Sequence, residues 1–178
     1  MELFFKRRSF RTYTEKPVSE QELEAILRAG MAAPSSDNDQ EWEFIIVNDP
    51  ASRAAIMERN KYAGALKTAP LSILICADMS KVSVPDDTFW IQDLSAAAQN
   101  MLLAAVCLDL GGLWMGLSAC DRKEISRILS LPAMIEPLIL LAFGTPRKPK
   151  DPIDRYDKKR IHFERFGNQF PILFATSQ

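Results

Sequence analysis

Apolar and polar positions alternate in blocks along the chain. Between Ser19 and Gly30, Leu23, Ile26 and Leu27 fall three and four residues apart among polar neighbours, and that spacing predicts an amphipathic helix. Ser19 followed by Glu22 is a capping-box pattern at its start. Ala33 to Glu41 has no period and reads as a loop. Phe44 to Val47 is a short buried strand, stopped by Asn48-Asp49-Pro50, with a helix expected over Ala51 to Asn60. Leu71 to Ala77 (LSILICA) is the second strand, and Lys81 to Asp87 a polar loop containing a proline. The longest helix is expected from Phe89 to Leu110. Trp90, Leu94, Ala97, Met101, Ala104, Ala105 and Leu108 make most of its faces apolar, which places it in the centre of the core, with Gly111 and Gly112 ending it. Gly112 to Leu117 reads as a strand. Asp121 to Leu129 reads as a helix with the capping pair Asp121 and Glu124. Leu138 to Phe143 is the last strong strand, before Gly144-Thr145-Pro146. Strands alternating with helices around one very apolar helix imply an α+β chain with helices on both faces of a mixed sheet.

Length and charge narrow this picture. A chain of 178 residues suits one domain spanning 1–178, with a single sizeable core. A net charge of −1 gives no global field for nucleic acid or an anionic membrane. The basic N-terminus lacks an apolar segment behind its charges, and the longest apolar run, Met101 to Leu108, is too short to span a bilayer. Cys76, Cys107 and Cys120 lie among apolar residues without a CxxC pair. They read as buried free thiols, and a cytoplasmic location is expected. Residues 147–178 differ from the rest, being polar and basic before an apolar run at Phe170 to Phe174. Such a tail has no obvious place in the monomer core and suggests a segment lying on a partner's surface.

The chemistry is first limited by what is absent. Neither GxGxxG nor GxxxxGK[ST] is present, so the common nucleotide fingerprints are missing. One histidine, His162 in the polar tail, and no cluster of metal ligands argue against a Ser-His-Asp hydrolase or a zinc site. An enzyme of this kind leaves its chemistry to a cofactor. Four segments are candidates to hold one. Arg7, Arg8, Ser9 and Arg11 place three guanidiniums and a hydroxyl within five residues, suited to phosphate oxygens and carbonyl edges; by itself the cluster also reads as a solvated basic patch. Ser35, Ser36, Asn38 and Gln40 supply donors and acceptors in a polar loop between two rigid elements, a usual place for binding and equally an ordinary connector. Leu113, Trp114, Met115 and Gly116 combine residues able to flank a flat ring with glycine that lets backbone approach a ligand; a core strand is the plainer reading. Lys150 and Arg155 in the basic tail can neutralise phosphate or face solvent.

In order and position these segments resemble the FMN-dependent nitroreductase family. The matching residues are Arg7-Arg8-Ser9-Phe10-Arg11-Thr12-Tyr13 with Lys16-Pro17-Val18, then Ala33-Pro34-Ser35-Ser36-Asp37-Asn38 leading to Trp42. Trp90, Asp93, Ala97 and Asn100 follow along the central helix, then GGLWMG, Leu140 to Pro146, and Ile161-His162 to Gly167. The resemblance implies a three-layer α/β/α fold with a mixed, mostly antiparallel sheet. It implies an intertwined homodimer with FMN at the interface, embraced by residues 147–178. Arg7, Arg8, Ser9 and Arg11 would hold phosphate, ribityl and the pyrimidine edge, while Pro34, Ser35, Ser36 and Asn38 would come from the other subunit. Leu113 to Gly116 would face the flavin, and Lys150 and Arg155 would complete the phosphate site. The implied reaction is a ping-pong transfer from NAD(P)H through flavin to a nitroaromatic, quinone or similar small acceptor. It needs no catalytic side chain and no metal. Other flavin chemistry (oxidase, enone reductase, dehalogenase) and a non-catalytic FMN-binding regulatory dimer are the alternatives. Acceptor choice is expected to sit in Tyr62 to Ala69 and Met79 to Phe89. Asp37, Asp39 and Glu41 depart from the common pattern, and an acidic loop at the flavin edge would lower its potential or shift acceptor preference.

Overall fold

The computed structural model describes residues 2–85 and 87–168; the apolar run Phe170 to Phe174 lies outside the described residues. The elements in chain order are α1 (Glu2–Lys6), α2 (Glu20–Met31), β1 (Trp42–Ile46), α3 (Pro50–Arg59), β2 (Leu71–Asp78), α4 (Phe89–Cys107), β3 (Gly111–Gly116), α5 (Ala119–Ile128) and β4 (Ile135–Gly144). The strands form one sheet in the order β1-β2-β4-β3, and every neighbouring pair is antiparallel. Its only parallel component among the described residues is a single bridge from Ser9 to Gly112.

Two apolar clusters explain the three layers. Ile73, Ile75 and Ala77 of β2 point to one face, against Ile26 of α2 and Leu94, Ala98, Met101 and Leu102 of α4. Leu74 and Cys76 point to the other, against Ile56 of α3 and Ile125 of α5. Alternate side chains of one strand therefore enter different cores, which is why LSILICA is apolar at nearly every position. The edge strands β1 and β3 flank this buried pair at opposite sides of the sheet. The Ser19–Glu22 capping box opens α2 with both reciprocal bonds made.

Several boundaries differ from the sequence reading. The central helix stops at Cys107, before Gly111. Asp109, at φ 56°, makes the left-handed turn, and both glycines belong to β3. Their lack of a side chain serves packing: a Cβ at Gly111 would lie 2.6 Å from both Phe10 Cδ2 and Pro146 Cγ. Helix α5 begins one turn early, capped by Ser118 with Asp121 at its third position. The pair Asp121 and Glu124 has the same spacing but lies inside the helix. Of the three cysteines, all free, Cys76 is buried whereas Cys107 and Cys120 are exposed, because the latter two end α4 and begin α5 on outward faces.

Candidate cofactor site

The segment carrying the arginines is an arm laid along the β3 edge. Helix α1 precedes it, and Phe10 N–H donates to the Gly112 carbonyl at 3.1 Å. Tyr13, fully buried, anchors its far end: its hydroxyl donates to the Phe10 carbonyl at 2.8 Å and to the Ala142 carbonyl of β4 at 3.2 Å. A second segment, residues 146–153, straps the arm down. Arg147 Nε donates to the Tyr13 carbonyl at 2.8 Å, Lys150 Nζ to the Ser9 carbonyl at 2.6 Å, and Ile153 N–H to the Phe5 carbonyl at 3.1 Å. Arg8 Nη1 donates to the Asp151 carbonyl. Arg8, Ser9 and Lys150 are thus brought together, with half-buried Arg7 beside them. Ser9 takes part through its backbone. Arg155 is exposed beyond Ile153, so Lys150 is the tail cation held against the arm.

Next to this group a cleft of about 330 Å³ opens between β3 and the turn after α3. Arg11, Leu113, Trp114, Met115 and Gly116 line one side, and Lys61, Tyr62, Gly64 and Ala65 the other. Leu113 and Met115 are rooted in the core against α3 and α5. Trp114 and Gly116 are exposed at the strand edge, and nothing lies within 4 Å of where a Gly116 Cβ would stand. Buried Asn60 joins the two walls: its Nδ2 donates to the Gly116 carbonyl at 3.3 Å, and its Oδ1 accepts from Tyr62 N–H at 2.8 Å. Asn60 and Lys61 carry no sequence motif, and the neighbouring Tyr62 to Ala69 reads only as an acceptor-selecting loop.

Pro34, Ser35, Ser36 and Asn38 lie elsewhere, in the connection from α2 into β1 at the opposite edge of the sheet. A short 3-10 turn spans Ser36–Asn38. Ser36 N–H donates to buried Asp93 Oδ2 of α4 at 2.8 Å, and Asp39 accepts from Ser83 N–H at 2.7 Å and Ser83 Oγ–H at 2.5 Å. Those two bonds hold the Asp39 carboxyl below its usual range. The loop's three acids therefore differ: Asp37 is exposed, Asp39 is tied to Ser83, and Glu41 is buried. They do not form one exposed acidic edge.

The model of the Nitroreductase family matches residues 5–61 and 54–145. The chain belongs to the nitroreductase family. A relative from Archaeoglobus fulgidus, provisionally named NADH dehydrogenase/NAD(P)H nitroreductase, is 35% identical over 171 residues, covering 93% of this chain and 98% of its own. A solved structure from Clostridium acetobutylicum, provisionally described as an NADH oxidase, is 40% identical and covers 92% of this chain and 99% of its own, with a TM-score of 0.86. A nitroreductase-like structure from Desulfovibrio desulfuricans in complex with FMN is 29% identical over 92% of this chain and 95% of its own, at a TM-score of 0.80. This nitroreductase-family chain carries no group of three or more metal-ligating side chains among its described residues. No helix there is long and apolar enough to cross a membrane.

Proposed function

We propose that the chain is one protomer of a homodimeric FMN oxidoreductase. It takes electrons from NAD(P)H and passes them to a small organic acceptor, a nitroaromatic or a quinone, in a ping-pong exchange. Family membership makes it an NAD(P)H-dependent oxidoreductase. The single observation that carries the finer reading is the arm: it bears Arg7 and Arg8, holds Lys150 against Ser9, and presents Arg11 to a cleft whose wall includes the open strand edge at Gly116.

This donor set fits FMN. Arg7, Arg8 and Lys150 suit a phosphate. Arg11 presents forked donors to a carbonyl-bearing ring edge, and Gly116 leaves room for a flat ring against backbone. Bound FMN supplies the hydride chemistry; the chain binds and orients it, and keeps positive charge where the ring gains negative charge. No side-chain acid or base is required. One protomer offers the cleft at the β3 edge and the Pro34–Asn38 loop at the β1 edge. A two-fold dimer in which each loop closes the partner's cleft would complete both sites, and residues 147–178 would embrace the partner.

The test is a visible spectrum of the purified protein, followed by anaerobic NADH and then NADPH. Flavin bands that bleach with a nicotinamide and return on adding a nitroaromatic or quinone are expected. Bands that never bleach point to the non-catalytic FMN-binding reading. A colourless protein that takes up no added FMN defeats the assignment.

A further inference from the structure

Glu41 ends the loop that opens β1. Its side chain is 1% exposed, and neither carboxyl oxygen has a hydrogen-bond partner. Its backbone is committed, the carbonyl accepting from Asp78 N–H at 2.8 Å. The charged groups facing it are Asp93 of α4, Asp39 of its own loop, and Lys81 of the turn after β2. Lys81 is engaged already, 2.6 Å from Glu43 and 3.6 Å from Asp78. An ionised carboxylate here is a desolvated charge facing two carboxylates, whereas a neutral acid avoids both the charge burial and the like-charge repulsion. Desolvation by burial is the main cause holding the group above the usual carboxylate range.

The loop beside it is conformationally costly. Asp37, Asn38 and Gln40 adopt φ of 48°, 60° and 49°, the left-handed region that side chains other than glycine seldom take up. Its shape therefore depends on its anchors, the Ser36–Asp93 bond and the Asp39–Ser83 bonds. Asp93 and Asp39, the acids of those anchors, are the same two that face Glu41.

We propose that Glu41 is a proton-holding positioning residue: neutral, it lets the 34–40 loop stay closed on α4, and its ionisation loosens that loop and the cofactor site to which the loop belongs. The cofactor part rests on the assignment of Pro34 to Asn38 to the partner's FMN site.

The test compares the wild-type dimer with Glu41→Gln, which keeps the shape and cannot ionise, and with Glu41→Leu should the first variant not fold. FMN dissociation is followed by flavin fluorescence from about pH 5 to about pH 9. Wild-type Kd should rise about tenfold, while Kd of the variant stays nearly flat. Parallel curves overturn the proposal. Thermal unfolding of the same samples separates its failure from that of the flavin assignment. A folded-state carboxyl held above its unfolded value stabilises fully below about pH 4.5 and loses that contribution as pH rises through the folded value. Wild-type Tm should therefore fall progressively below that of Glu41→Gln as pH rises. If no protein binds FMN, the flavin assignment fails and this Tm gap alone decides for Glu41; a gap independent of pH refutes the held proton.

Discussion

Tyr13 shows how one side chain can hold a binding arm. Its hydroxyl reaches both the arm, at Phe10, and the sheet, at Ala142. Tyr13→Phe leaves those carbonyls without their donor, at a cost of about 1–2 kcal/mol, which lowers Tm by about 3–6 °C in a domain of this size. FMN affinity should fall with it, since Arg7 to Arg11 ride on the same arm; an unchanged Kd would separate the arm from the cofactor. Cys76 gives an independent check of burial. Its environment pushes the thiol up to about 12, so a thiol reagent should label Cys107 and Cys120 in the native protein and Cys76 only after denaturation. The pattern of residue types misses this for Cys76 and Cys107, which both have apolar sequence neighbours, and only the fold says which face each one shares. Glu41 is hidden for the converse reason: a glutamate opening a strand gives no local sign that its carboxyl turns inward.

Elements were legible where period and caps agree. Helix α2 with its capping box, the apolar runs of β2 and β4, and the position of α4 within the core all follow from spacing. Helix α5 was misplaced by a turn because two acid-capped triplets overlap there. Ser118→Ala should cost about 0.5–2 kcal/mol in a thermal melt, while Glu124→Gln should be near neutral; the reverse order would restore the later start. Gly111 was misread because glycine after a helix usually means a stop. Its role in the fold is to admit Phe10 and Pro146. Gly111→Ala should cost about 1–3 kcal/mol through overpacking and weaken FMN binding by displacing the arm or the strap. Gly64→Ala, on the cleft wall with nothing within 4 Å, is the control expected to leave stability unchanged. The cleft's far wall was not legible at Asn60 and Lys61, whose contributions depend on a turn meeting the strand edge across 56 residues of sequence at Gly116.

At the scale of the whole molecule, the segment that follows the strap carries large apolar rings in water. Tyr156 is 68% exposed and Phe166 92%. Exposed rings on a segment outside the core are the pattern expected of a surface that another copy covers. The paired substitution Tyr156→Asp with Phe166→Asp should shift sedimentation toward monomer and release FMN in parallel. Loss of flavin without dissociation would instead confine these rings to their own protomer. The fold class was visible in the sequence, as was the cluster of arginines, but not the path that lays it along β3. The placement of the candidate segments at opposite edges of one sheet was not legible, since no periodicity reports which edge a loop will reach; the family resemblance implied only that Pro34 to Asn38 serve the other subunit.

The strapping of the arm by residues 147–153 also sets an order of events during synthesis. Arg8, Ser9 and Tyr13 leave the ribosome early, but the groups that fasten them are translated more than a hundred residues later. The sheet is complete once β4 is made, and it holds the arm through Phe10 and Tyr13, while the bonds at Arg8 and Ser9 wait for the residues that follow. Flavin capture would then be a late step of biogenesis, and a nascent chain stalled before the strap would be colourless however well its core had formed.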